Sequence, residues 1–431
     1  MTTLLIKNGR VIDPKNKRDE VADVFVRDGK IVAIRKSLRQ KADKTIDAKG
    51  LVVTPGLIDV HVHFREPGRE DRETLETASK AALAGGITSA VAMPNVSPAA
   101  DNQTVIEFVL RRARDLKLIN VYPAGCITKG QDGSMLAEVN ELKNTGAIAI
   151  TDDGFDVQNE GLLRHAMEYA KTCGVPILSH CETKDLTDDG VMHEGWVSTK
   201  LGLPGSPAVS EEMAVYKNVL LAEETGARVH LMHNSAAGSI RAIREAKARG
   251  AKNITAEVSV QHFSLTDEEC FGYNTYAKMY PPLRSQEHLD AVIKGIKDGT
   301  IDAFSTDHAP HTEPDKLKSF QDAAFGTTGL ETSFAAMNTY LVKPKHIGLA
   351  QGVEKMTTGP AKIIGIDKGH LSVGADADIA IFDTTAEWTV DPKKFFSKAR
   401  NSAFSGKKLT GKAVYTIVAG EVKYDHGTIV A

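Results

Sequence analysis

The chain has 431 residues, well beyond the roughly 250 that a (β/α)8 barrel needs, so one large domain and a smaller second unit are expected. With 53 basic and 56 acidic side chains and a net charge of −3, it has no strong field to draw nucleic acid or an anionic membrane, which leaves a small-molecule partner as the expectation. The four cysteines form no CxxC pair and are too few for a disulfide scaffold, and no run of about 18 apolar residues occurs, so a reduced, cytoplasmic protein is expected.

The first 54 residues hold short β-type runs at Leu4–Lys7, Ala22–Arg27, Lys30–Ile34 and Gly50–Val53, with turn signals at Asn8-Gly9 and Asp28-Gly29. They predict a small antiparallel unit. From Pro55 the texture changes to apolar runs followed by helical stretches, the pattern of parallel strands buried on both faces. Eight such strands are expected near Leu57–His63, Ile87–Met93, Asn120–Gly125, Ala147–Thr151, Val175–His180, Arg228–His233, Asn253–Val260 and Asp302–Thr306. Glu73–Ala84, Gln103–Arg114, Glu160–Thr172, Glu211–Glu224 and Gly238–Arg249 have the length and charged faces of outer helices. Longer connections after the fifth and seventh strands should overhang the site.

After roughly Gly365, β texture returns at Asp378–Phe382, Lys412–Val418 and Glu421–Tyr424, with a turn at Ala419-Gly420. Neither terminal segment can easily bury a core alone. The predicted fold is α/β: a TIM-type (β/α)8 barrel over residues 55–365, with a small β-sandwich domain formed jointly by residues 1–54 and 366–431.

Chemistry concentrates at the predicted strand ends. His61 and His63 lie two apart on a strand, so both rings can face one metal ion. Asp152-Asp153 follows the fourth strand, His180 the fifth, His233 the sixth and Asp307-His308 the eighth, where barrel enzymes place their sites. One histidine at a strand end is ordinarily a hydrogen-bonded core residue. Repetition at five strand ends points instead to catalytic zinc, and the set is large enough for two ions bridged by a carboxylate. Only one of Asp152 and Asp153 should enter the site, because adjacent strand residues face opposite ways. Asp59 shares the strand face of His61 and reads as a hydrogen-bond partner beneath the ligands. His230, expected on the strand face opposite His233, reads as structural, as do His165, His288, His346, His370 and His426. His193 stands out only by lying in the long fifth connection.

The string His61-Val-His-Phe-Arg-Glu-Pro-Gly68, with Ala92-Met-Pro-Asn95, Thr151-Asp-Asp-Gly154, His180-Cys-Glu182, Thr306-Asp-His-Ala-Pro-His311 and Gly329-Leu-Glu-Thr332, resembles bacterial class I dihydroorotase across essentially the whole chain. The resemblance implies reversible cyclisation of N-carbamoyl-L-aspartate to L-dihydroorotate in pyrimidine biosynthesis. It implies zinc, one or two ions with two favoured, held by His61, His63, Asp153, His180, His233 and Asp307. Asp153, not Asp152, takes the bridging place by the family's spacing. Hydantoinases and allantoinases share the histidines but usually bridge their metals with a carboxylated lysine. Catalysis would use water activated by zinc, with Asp307 as general acid and base. By the same resemblance His63, Arg65, Asn95, His311 and the backbone of Phe325 and Gly326 bind substrate. A homodimer is implied, with aspartate transcarbamoylase association in some members.

Tyr280 departs from the pattern, standing where the family commonly has a substrate-contacting Asn. Gln261 stands where many members have His. The rival readings are a hydantoinase- or dihydropyrimidinase-like hydrolase and a catalytically silent scaffold; Arg65 and Asn95 argue against the first, the full ligand set against the second. Residues His308–Phe325 are the candidate lid.

Overall fold

The structure, a computed structural model, describes residues 2–430. Eight parallel strands follow one another in chain order around a barrel: Leu57–Val62, Ile87–Ala92, Asn120–Gly125, Ala149–Ile150, Ile177–Ser179, Val229–Leu231, Ile254–Ser259 and Ala303–Ser305. Each lies within the run expected from the sequence. The eighth strand returns to the first just past its end, where Val62 bridges His308 in parallel and His63 N donates to His308 O at 3.0 Å.

Every residue of the first two strands is buried, because helices cover the outer face and the barrel interior covers the inner one. Val60, Val91, Ala124, Leu178 and Ala303 come from five different strands yet share one cluster with Ile363 and Ile364. Only a closed interior brings such residues together. That apolar floor leaves polar strand ends at the opposite rim.

The outer helices start and stop where local chemistry directs. Asn102 caps Gln103–Leu116 by accepting from Val105 N, Asn159 caps Glu160–Cys173 by accepting from Leu162 N, and left-handed Gly174 and Gly226 end Glu160–Cys173 and Ala208–Thr225.

Strands from both chain ends share a second, nine-stranded sheet, joined where Ile379–Phe382 pairs antiparallel with Val52–Pro55. Ile31 and Ile417, from opposite reaches of this sheet, meet in one core with Ile6, Val24 and Val53, so the sheet folds over itself as a sandwich. The N-terminal part is mixed, not antiparallel as expected: Thr3–Asp13 pairs antiparallel with Arg18–Arg27 but parallel with Lys44–Asp47 and Val52–Pro55. Charged, half-polar Lys44–Asp47 gave little strand signal. Asn8-Gly9 is a bulge within one long strand, marked by a register shift between Ile6 and Gly9. A Cβ at Gly9 would lie 2.5 Å from the Val53 side chain, so glycine there permits close strand approach instead of a turn. Asp28-Gly29 and Ala419-Gly420 do turn, all four residues having positive φ.

Candidate active site

Five strand ends bring four histidines and two aspartates to one point. His61 Nε2 lies 3.3 Å from Asp153 Oδ1 and 3.5 Å from Asp307 Oδ1; His63 Nε2 lies 3.4 Å from Asp153 Oδ2 and 3.2 Å from Asp307 Oδ1. From the far side, His180 Nδ1 and His233 Nε2 stand 3.5 and 3.6 Å from Asp153 Oδ1 and 2.9 Å from each other. The pairing of His61 with His63 is not simple strand alternation. The register against the second strand shifts between Asp59 and Val62, and His63 lies beyond the last strand residue.

Backbone geometry aims several of these groups. Arg65, His233 and Asp307 have φ of 63°, 34° and 46°, a left-handed conformation that costs a non-glycine residue about 1–3 kcal/mol and persists only where the surroundings enforce it. Asp59 supplies part of that enforcement by accepting from His61 N, Thr306 N and Thr306 Oγ1. It ties the first strand to the eighth, and it is not among the groups whose atoms converge.

The adjacent aspartates part ways. Asp152 turns from the histidines and accepts from Ile127 N at 2.8 Å and from Thr128 N and Oγ1, while Asp153 faces all four rings. Burial pushes the Asp152 carboxyl up to about 6. Burial acts the same way on Asp153, yet the His61, His180 and His233 rings hold it well below the usual range.

Beside this cluster lies a buried polar wall. Arg65 Nη2 is 3.5 Å from His311 Nε2, and Arg65 Nε donates to Pro310 O at 3.3 Å. Burial and the Arg65 guanidinium push His311 down to about 2, so its ring is neutral and its buried Nδ1 has no hydrogen-bond partner. Asn95 Oδ1 meets His63 Nδ1 at 2.9 Å, so this amide already orients a ring of the cluster. Gly326 is also engaged: its N donates to Lys278 O, and its O accepts from Lys316 Nζ and Asn401 Nδ2. Phe325 is the freer member of that pair, with its ring 5.2 Å from the Tyr280 ring.

Tyr280 stacks on His180, ring centres 5.2 Å apart, and its hydroxyl donates to Glu182 Oε1. The departure in sequence therefore sits directly over the cluster. His193 and Arg284 form part of a separate buried network that braces the fifth and seventh connections through Ser206, Glu211 and Ser235.

Two residues escaped the sequence reading. His230 points into the barrel, not away from the site, because its strand ends at Leu231 and the alternation counted back from His233 does not hold. Its partner is Glu257, which lies 3.1 Å from His230 Nε2 and 3.2 Å from His61 Nδ1. A glutamate in the middle of a barrel strand, Ile254–Ser259, was the available signal, since a buried carboxylate needs partners.

The donor set suits a metal ion. His61, His63 and Asp307 place ligand atoms within 4.8 Å of one another, as do His61, Asp153 and His233. His61 Nε2 is buried without a hydrogen bond, and it faces two carboxylates, Asp153 and Asp307, at 3.3 and 3.5 Å. Imidazole nitrogens with carboxylate oxygens are the donors that zinc and its neighbours prefer.

Residues 50–239 match the family model described as dihydro-orotase-like. A dihydroorotase of Pelotomaculum thermopropionicum is 51% identical over 97% of this chain and 98% of its own length, and one of Acetivibrio thermocellus is 46% identical over 97% and 98%. The chain belongs to the dihydroorotase family. Among solved structures, an L-hydantoinase (dihydropyrimidinase) from Arthrobacter aurescens is 27% identical, with a TM-score of 0.88 over 100% of this chain and 98% of that one. A dihydropyrimidinase from Brevibacillus agri, 24% identical with a TM-score of 0.87 over 100% and 96%, shares the fold. The chain thus shares its frame with a hydantoinase and a dihydropyrimidinase. Among the described residues, no helix is long and apolar enough to cross a membrane.

Proposed function

We propose that this chain is a zinc-dependent dihydroorotase that interconverts N-carbamoyl-L-aspartate and L-dihydroorotate. The observation that carries the reading is the convergence of His61, His63, Asp153, His180, His233 and Asp307 beside the buried Arg65–His311 pair. Family membership supports it through the near full-length match to dihydroorotases.

His61, His63 and Asp307 would hold one ion, His180 and His233 the second, and Asp153 both. Bound there, zinc supplies Lewis acidity and lowers the pKa of water toward neutrality. Asp307, held ionised by the neighbouring His61 and His63 rings despite its burial, accepts the proton of the attacking water. It then delivers that proton to the departing ring nitrogen. Cyclisation reverses the path, with Asp307 taking the proton from the ureido nitrogen.

The substrate keeps its α-carboxylate throughout, so a fixed cation outside the bond-breaking is required. Arg65 fits that part: it is buried and planar, and it faces Nε2 of neutral His311, which leaves the Nδ1–H of that ring as a further donor. Asn95, His63 and the Phe325–Gly326 backbone complete the substrate contacts in this reading. Tyr280 and Phe325 shelter the reacting ring from water.

In this reading the described residues of the segments 1–54 and 366–431 belong to the small domain and residues 55–365 to the catalytic barrel. A cytoplasmic homodimer is the expectation that rests on the family resemblance, as is the association with aspartate transcarbamoylase that some members form.

The test is hydrolysis of dihydroorotate by zinc-loaded protein, followed by loss of ultraviolet absorbance, alongside dihydrouracil and hydantoin. Turnover of dihydroorotate is expected. Turnover of the uncharged rings alone would move the chain to the hydantoinases, the reading that Tyr280 favours, and no turnover of any ring would make it a silent homologue.

A further inference from the structure

Four side chains, three buried and Thr255 half-buried, form a file across the barrel toward the convergent histidines and aspartates. Thr255 Oγ1 meets His230 Nδ1 at 2.9 Å, His230 Nε2 meets Glu257 Oε2 at 3.1 Å, and Glu257 Oε1 meets His61 Nδ1 at 3.2 Å. Glu257 and His61 are 0% exposed and His230 is 1% exposed. Among the described residues, these two imidazoles are the ion-pair partners of Glu257.

An ionised carboxylate only accepts hydrogen bonds. Each Glu257 oxygen faces one imidazole, so His61 must carry its hydrogen on Nδ1 and present its Nε2 lone pair toward Asp153 and Asp307. That Nε2 is the buried nitrogen without a hydrogen-bond partner. His230 likewise donates from Nε2, which leaves its Nδ1 to accept from the Thr255 hydroxyl.

We propose that Glu257, backed by His230 and Thr255, is a positioning residue that fixes the ring and tautomer of His61 for metal ligation. The proposal rests on the reading above that His61 holds a metal ion.

The file predicts an uneven response to substitution. A glutamine at 257 can accept from His61 only by turning its NH2 toward His230, whose proton then moves to Nδ1 and is donated to Thr255 Oγ1. Thr255 is therefore the escape route. With valine at 255 that tautomer loses its acceptor, the amide turns round, and His61 Nδ1 faces a donor.

Zinc affinity measured by chelator competition tests this, with His61→Asn as the reference. Glu257→Leu should weaken zinc binding about 10- to 100-fold, while Glu257→Gln and Thr255→Val alone should each cost less than about threefold. Their double variant should lose far more than the product of the two. In zinc-loaded protein labelled with 15N-histidine, His61 should carry its hydrogen on Nδ1 with Nε2 on the metal in the wild type, and this pattern should change in the double variant. That reading separates positioning from general stability.

A folded Glu257→Leu that binds zinc like the wild type, when His61→Asn does not, overturns the proposal and leaves the metal reading intact. If Glu257→Leu fails to fold, the double variant decides: additive costs and an unchanged His61 tautomer overturn it. Zinc binding unaffected by His61→Asn would overturn the metal reading itself, and this proposal with it.

Discussion

Asp152 and Asp153 are neighbours in the chain that serve opposite sides of one strand end. Asp152 braces the loop at Ile127 and Thr128, and Asp153 stands among four imidazoles. Asp153→Asn should remove bound metal and with it nearly all activity. Asp152→Asn should keep the metal but lose stability by about 1–3 kcal/mol, the cost of disturbing a buried, multiply bonded acceptor. Metal content and thermal unfolding of the two variants separate the roles; equal metal loss in both would defeat the assignment.

Removal of metal by a chelator should abolish dihydroorotate hydrolysis, and added zinc should restore it. Asp307→Asn should stay inactive after zinc is restored, with a loss on the order of 10²–10⁴ in kcat, because an amide cannot relay the proton. Recovery of wild-type rates by the variant would exclude Asp307 as the acid and base.

Arg65 lies on the polar wall, away from the convergent ligand atoms, so its loss should appear in substrate binding. Arg65→Ala should raise KM for dihydroorotate by about 10- to 100-fold, from about 1.5–3 kcal/mol per lost charged hydrogen bond. Arg65→Lys should recover only part of this, since a point charge cannot present two parallel donors. Dihydrouracil, which lacks the carboxylate, should show little change in KM; an equal effect on both rings would exclude a carboxylate clamp.

Tyr280 covers His180 and is latched to Glu182. Tyr280→Phe should cut the latch while keeping the stack, and Tyr280→Asn should open the space above His180. The asparagine variant is expected to change the ratio of dihydroorotate to hydantoin turnover by about tenfold, roughly 1.4 kcal/mol of differential transition-state binding. A ratio equal to the wild type in both variants would place Tyr280 outside substrate selection.

Lys316 is 1% exposed and donates to the carbonyls of Lys278, Ala324 and Gly326 at 3.3, 2.7 and 3.1 Å. Burial pushes its ammonium from the usual 10.5 down to about 7. Between these values the unfolded chain binds a proton that the folded chain does not, so this group's contribution to stability rises with pH across that window. Below about pH 7 both states are protonated and the burial penalty is fully felt. In urea unfolding at about pH 6.5 and about pH 9, the wild type should gain on Lys316→Met as pH rises. Parallel stabilities at both pH values would sink this account.

The barrel was legible because each of its strands is a short apolar run followed by a helix, a local pattern that survives without knowledge of what packs against it. His61, His63, Asp153, His180, His233 and Asp307 were legible for the same reason: each lies at or just past a strand end, and a barrel gathers those ends at one rim. Lys44–Asp47 and the Asn8-Gly9 bulge were not, since their pairing depends on neighbours remote in sequence. Parity left Asp152 and Asp153 undecided, and the hydrogen bonds from Ile127 and Thr128 turn one of them away.

The sequence by itself determined the order of elements, the composite β domain and the list of ligand-type side chains, because periodicity, turn chemistry and residue type are local properties. Tertiary structure alone decided that His230 faces inward, that Glu257 joins it to His61, and that Tyr280 reaches Glu182. Those contacts join residues from different strands and loops, and they exist only once barrel closure sets which side chains share the interior.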